Sequence, residues 1–153
     1  MLGIDSSIPV KQLSTPVSLE LVTLEFLTPN SLILCLVYIP PNPSTVYVTT
    51  FLDYIRSLYS SHDSSSNFLL LGDFNFPDID WSTLYGSFSY SNLLCDLIFD
   101  LNLVQMIDFP THNKGNILDL VFTTSPDLIS DIVTLKNTLI STASDHFPIS
   151  FFT

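Results

Sequence analysis

The sequence predicts a mixed α/β sandwich, and three observations carry that expectation. Apolar runs of strand length recur along the chain, each bounded by Pro, Gly, Asn or Ser. Two other segments repeat their apolar residues at helical spacing instead. The first two strand candidates are joined by a tight turn while later ones follow helices, an order that includes hairpins and fits an α/β or α+β sandwich. At 153 residues the chain is one domain or part of one, long enough for a real core, and its 46% hydrophobic content argues against disorder.

Residues Leu19 to Leu27 alternate well enough for a half-buried strand, with Glu20 and Glu25 near its exposed edges. Pro29-Asn30-Ser31 reads as a turn, and Ser31 to Tyr38 is so uniformly apolar that it predicts a second strand covered on both faces. Pro40-Pro41-Asn42-Pro43 ends that strand, because proline cannot continue the ladder. Ser44 or Thr45 can cap a helix running to about Ser60, whose stripe is Val48, Phe51, Leu52, Ile55, Leu58 and Tyr59. A serine-rich loop leads to a strand over Phe68 to Leu71 and then Gly72. Phe76 to Trp81 reads as a loop tied down by Ile79 and Trp81. A second helix fits Asn92 to Leu101, with Ser89 or Ser91 upstream as its cap. Short strands are expected at Leu103 to Ile107, Ile117 to Thr123 and Ile129 to Leu135, and the chain closes in the apolar run Phe147 to Phe152.

Charge bounds the function. The formal net charge is -11, with Lys11, Arg56, Lys114 and Lys136 the only strong bases. That balance opposes sequence-independent binding to a phosphate backbone, unless a bound divalent cation reverses the local field. Cys35 and Cys95 each sit in an apolar run and read as buried free thiols, and no zinc spacing is present. No basic and then apolar leader opens the chain, and Leu32 to Ile39 is too short to span a bilayer. An intracellular, reduced protein is the expectation, with nucleus and cytoplasm left open.

Candidate chemistry gathers at strand ends. In an extended chain Asp73 and Asn75 leave the same face while Phe74 turns into the core. Tyr38, Asp119 and the pair Asp145-His146 also lie at or inside predicted strands or at their mouths. A charge inside the apolar strand around Asp119 needs a partner, and His146 is a natural one. If the two meet, the carboxylate fixes the imidazole tautomer and raises its pKa. Each residue has a plainer reading: a turn-starting strand exit for Asp73 and Asn75, a core aromatic for Tyr38, a backbone cap for Asp119. His146, and still more His62 and His112, can be ordinary satisfied histidines.

The segments Val-Tyr38-Ile-Pro-Pro, Gly-Asp73-Phe-Asn75, Gly-Asn-Ile-Leu-Asp119 and Ser-Asp145-His146 occur in an order that resembles the endonuclease/exonuclease/phosphatase family. More narrowly, they resemble the endonuclease domain carried by non-LTR (LINE-type) retrotransposon polyproteins upstream of the reverse transcriptase. The likeness is strongest from residue 18 to the C-terminus. It implies a four-layered α/β/β/α sandwich, a DNA substrate and Mg²⁺-dependent phosphodiester hydrolysis. It further implies that Asp73 orients or deprotonates the attacking water and that Asn75 positions the water or the phosphate. His146 would bond the scissile phosphate, Asp119 orient His146, Tyr38 contact the phosphate and Asp145 hold the metal. The family's N-terminal portion with its metal-binding Glu should precede residue 1, so the expectation is a single partial domain over residues 1–153, N-terminally truncated and weak or inactive alone. Ile39 stands where many retrotransposon relatives have Arg. Two alternatives accompany this reading: a non-catalytic remnant or binding module, and a small-molecule phosphoesterase of the same superfamily.

Overall fold

Strand-length apolar runs become the middle of one six-stranded sheet. The computed structural model describes residues 7–29, 31–62, 66–134 and 144–153. In chain order the elements are β1 (Val10–Leu13), β2 (Glu20–Phe26), β3 (Leu32–Tyr38), α1 (Thr45–Ser60), β4 (Asn67–Asp73), α2 (Ser89–Asp100), β5 (Val104–Gln105), β6 (Asp119–Thr123), β7 (Ser130–Thr134) and β8 (Ile149–Phe152). The large sheet runs β1-β2-β3-β4-β6-β5, and β7 pairs with β8 in a separate two-stranded sheet. β2 and β3 form the expected hairpin, whereas β3 and β4 are parallel, joined by the α1 crossover.

Period-2 alternation sorts the side chains into two cores. Cys35, Val37, Phe68, Leu70, Leu120 and Phe122 face the helices, where α1 contributes Val48, Phe51, Leu52 and Ile55 and α2 contributes Leu94, Leu97 and Ile98. Leu34, Leu69 and Val121 face the other way, against Ile132 of β7 and Ile149 and Phe151 of β8. The order is thus helix, sheet, sheet, and both α-helices among the described residues lie in the first layer. Among the described residues no helix is long and apolar enough to cross a membrane. Cys35 and Cys95 are both free and buried, and burial pushes their thiols up to about 12 and about 11 respectively, which keeps them protonated and inert.

Several boundaries differ from the sequence reading for identifiable reasons. β1 is short and its Lys11 and Gln12 are exposed, so it carries no hydrophobic period. Ser44 caps α1 by accepting the Tyr47 amide at 3.1 Å, as the spacing suggested. α2 begins at Ser89 and takes its cap from elsewhere: Asp78, in the preceding loop, accepts the Phe88 amide at 3.1 Å and the Ser91 hydroxyl at 2.9 Å. Ile117 and Leu118 stay outside β6, where the Leu118 amide donates to Thr111 Oγ1 at 2.9 Å instead of joining the ladder. Leu135, the expected end of the β7 strand, lies outside the described residues.

β4 also runs two residues further than the apolar run, through Gly72 to Asp73. Gly72 holds φ +145, and a Cβ placed there would sit 1.8 Å from the Val37 carbonyl oxygen of β3. Only glycine lets the two backbones close at that level, so Gly72 sets how far Asp73 is carried along the sheet. The Gly72→Ala variant should therefore lose more than about 4 kcal/mol of stability in urea unfolding, because the obstacle is backbone and cannot move aside. Gly115→Ala, at φ +89 with open space around it, should cost only about 1 kcal/mol.

Candidate active site

Sheet register places one row of polar side chains across four strands. Glu20 pairs with Tyr38, Tyr38 with Asp73, and Asp73 with Asp119. Alternation puts the row on the face turned away from the helices, continuous with Leu34, Leu69 and Val121. There it meets His146 and Phe147 across an open cleft of about 640 Å³, walled by Val22, Leu36, Leu71 and Phe151. Glu20 was not a candidate in the sequence; its antiparallel register with Tyr38 is what brings it into line. Glu25 lies at the other end of β2, paired with Lys11 at 3.5 Å and facing His62 at 3.9 Å.

Asp73 and Asp119 stand directly opposite on adjacent strands, and His146 comes between them. Its Nδ1 is 2.8 Å from Asp119 Oδ2, and its Nε2 is turned toward Asp73 Oδ2 across a 3.9 Å gap. With a carboxylate at that distance, Nδ1 carries the proton and donates it. Burial works against charge on His146, but the bond to Asp119 and the negative charges of Asp119, Asp73 and Asp145 outweigh it, so its pKa is raised. The Asp73 pKa is also raised, by burial first and by the facing Asp119 second, against the lowering effects of His146 and Asn75.

Asn75 does not stand parallel to Asp73 as continued extension would have it. β4 ends at Asp73, and Asn75 takes φ +52, a left-handed turn that Asn tolerates. Its amide N–H then donates to Asp73 Oδ1 at 3.2 Å, while its carboxamide N–H donates to the Ile39 carbonyl at 2.9 Å. Asn75 thus fixes one oxygen of Asp73 and leaves Oδ2 facing His146. Phe74 is fully buried, as alternation requires, and Ile39 points its side chain into the core. Tyr38 ends β3 half exposed on the cleft face; its carbonyl accepts the Tyr47 hydroxyl at 3.2 Å, and the Tyr47 hydroxyl oxygen in turn accepts the Glu20 amide at 3.3 Å, so α1 braces the row.

Asp145 is the outermost member, with a side chain 60% exposed, and it pairs with His112 at 3.1 Å. That hydrogen bond, chiefly, holds its carboxyl below the ordinary value. His112 is a residue the sequence gave no reason to promote, and yet it is buried beside the site.

Among the described residues two trios bring metal-ligating atoms within 4.8 Å of one another: Asp73, Asp119 and His146, and His112, Asp145 and His146. The carboxylates of Asp73, Asp119 and Asp145 offer the hard oxygen donors that suit a divalent ion of the Mg²⁺ type. Because His146 has a raised pKa, the imidazolium stabilises the fold fully below pH 6.5, and that contribution is lost as pH rises through the higher folded value. Replacing Asp119 by Asn removes both the charge and the strong acceptor, so the His146 pKa should fall and this alkaline loss move to lower pH. NMR titration of the ring protons measures it directly; an unmoved midpoint would rule out Asp119 as the cause.

No curated protein matches the chain. Among solved structures, the endonuclease domain of TRAS1, a telomere-specific non-LTR retrotransposon, superposes with TM-score 0.72 at 19% identity, covering 96% of this chain and 67% of that domain. The 3′ phosphatase NExo from Neisseria bound to product DNA hairpin gives TM-score 0.59 at 15% identity, covering 86% of this chain and 64% of that one. An AP endonuclease from Archaeoglobus fulgidus gives 0.56 at 18%, covering 85% and 63%. At these identities the likeness is one of fold: the mixed α/β architecture is that of the endonuclease/exonuclease/phosphatase group, and the chain spans about two thirds of these neighbours' length. A family model described as endonuclease-reverse transcriptase matches residues 32–150. That match takes in β3, β4, β6 and the Asp145-His146 loop, and with them the whole polar row except Glu20: this chain belongs to the endonuclease-reverse transcriptase family.

Proposed function

We propose that the chain carries the hydrolytic site of a Mg²⁺-dependent, DNA-nicking retrotransposon endonuclease, in a parent polyprotein whose reverse transcriptase follows it. The observation that carries this reading is the gap between His146 Nε2 and Asp73 Oδ2, 3.9 Å wide and opening on the cleft. A donor faces an acceptor there without bonding to it, which leaves each free to engage a group in the cleft in front of them, a phosphoryl oxygen for Nε2 and a water for Oδ2.

Each residue then has a task. Asp73, its pKa raised, takes the proton of the attacking water, and Asn75 holds the other carboxylate oxygen so that Oδ2 keeps its aim. His146, charged and anchored by Asp119, donates from Nε2 to a phosphoryl oxygen and stabilises the charge that builds in the transition state. Tyr38 offers its hydroxyl to the phosphate from the rim. Asp145 is the carboxylate that would hold Mg²⁺, which when bound would supply Lewis-acid polarisation of the phosphoryl group. One carried-over ligand makes for weak metal binding, so slow nicking that climbs into the millimolar Mg²⁺ range is the behaviour proposed for these 153 residues alone.

A second reading rests on charge. Lys11 and Arg56 are committed to ion pairs with Glu25 and with Asp53 and Asp100, leaving few bases to track a long polyanion. A small phosphodiester would suit such a surface. Both readings are tested with supercoiled plasmid and with small diesters in Mg²⁺. The wild type should convert supercoiled to relaxed circles, and His146→Ala and Asp73→Asn should each lower the rate by about 10²–10⁴-fold. Nicking that persists in both variants or in excess chelator would refute the assignment, and turnover of small diesters without nicking would select the second reading.

A further inference from the structure

His112 is 7% exposed, and three contacts fix its ring. Nε2 lies 3.1 Å from Asp145 Oδ2, Nδ1 accepts the Lys114 amide at 3.2 Å, and the ring meets that of His146 edge to face, with centroids 5.0 Å apart and an angle of 84°. A nitrogen that accepts an N–H has its lone pair in the ring plane, so the proton of His112 sits on Nε2 and is donated to Asp145. The trio His112, Asp145 and His146 has the composition of a transition-metal site. Its hydrogen bonding is wrong for one. A ligating histidine uses one nitrogen as a lone pair and donates the other N–H outward, whereas here Nδ1 faces a donor and Nε2 has no lone pair to give.

The main chain around His112 points to another task. The Asn113 amide donates to the Asp145 carbonyl at 2.8 Å and the Phe147 amide to the Thr111 carbonyl at 2.7 Å, so residues 111–113 strap down the loop that carries His146. The same strap reaches Asp119, whose amide donates to Thr111 Oγ1 at 3.0 Å. We propose that His112 is a positioning residue rather than a metal ligand: it fixes the Asp145 carboxylate and backs the His146 ring, so that His146 spans from Asp119 to Asp73. This deepens the phosphodiesterase reading and rests on it for its catalytic consequence. Its geometric content stands apart from activity.

Long-range ¹H–¹⁵N spectra of the ¹⁵N-labelled wild-type chain should show His112 as the Nε2–H tautomer; an Nδ1–H tautomer overturns the proposal. In His112→Ala the His146 ring resonances should shift and nicking should fall about 10–100-fold. His112→Gln places an amide donor where the imidazole Nε2 was, and should restore both the His146 shifts and most of the rate. Co²⁺ should give no His112-dependent visible absorption; a band that His112→Ala abolishes would make His112 a ligand and sink the idea. Should His112→Ala fail to fold, the wild-type tautomer and the Co²⁺ spectrum of His112→Gln still decide. Absence of nicking in the wild type would count against the enzymatic reading alone, because the tautomer and the His146 shifts are read without turnover.

Discussion

Two carboxylates facing each other across neighbouring strands are the constraint that organises this molecule. Asp73 and Asp119 are register partners in β4 and β6, half-buried, on the same face. Like charges directly opposite destabilise a sheet, and burial adds to the penalty. What makes the pairing tolerable is His146, bonded to one carboxylate at 2.8 Å and turned to the other at 3.9 Å. The imidazole comes from a loop outside the large sheet, so this like-charged pairing is completed by a distant part of the chain. That dependence explains the strap of residues 111–113, which ties the Asp145-His146 loop and the start of β6 to one another by main-chain and Thr111 hydrogen bonds.

The same arrangement divides labour between protonation states. Desolvation and Asp119 push Asp73 toward holding a proton, and the carboxylates on either side push His146 toward keeping one. A base that is somewhat stronger than a free aspartate then faces an acid that is somewhat weaker than a free histidinium. Neither gives up its role to the other, because Asn75 occupies Asp73 Oδ1 and the remaining gap is too long for a direct hydrogen bond. The gap is maintained by backbone: Gly72 allows β3 and β4 to close beside it, and the Ile39 amide donates to the Asp73 carbonyl at 2.8 Å just beyond.

How much of this the sequence discloses depends on the range of the interaction. β2 to β4, both helices and β6 are legible because their apolar periods are local and their ends are marked by Pro, Gly or Ser. The Asp119–His146 contact is legible as well, since a charge in an apolar strand demands a partner and few are available. β1 is not, being four residues with a polar centre. Nor is the α2 cap, which comes from Asp78 rather than from the serines next to the helix. Glu20 and His112 join the site only through pairings across the sheet and the strap. His112 looked ordinary because its local setting, Thr-His-Asn-Lys-Gly, is that of any polar turn. The left-handed turn at Asn75 likewise breaks the i, i+2 alternation that would point its side chain along with that of Asp73.

Net charge looked like the strongest objection to a phosphodiester substrate, and the structure changes what that objection means. Two of the four strong bases are spent on ion pairs at β1 and the helices, while Lys114, exposed beside His112, has no ion pair among the described residues. On the proposed reading, attraction for a phosphate at the cleft comes from His146, whose pKa the surrounding carboxylates raise, from Lys114 beside His112, and from whatever cation the remaining carboxylate oxygens gather. An acidic surface and a phosphate-facing site are compatible under that condition. The acids that repel a polyanion at long range are, at short range, what raises the His146 pKa, so on the proposed reading the negative charge at Asp73, Asp119 and Asp145 cannot be removed to improve binding without weakening the group that would bind.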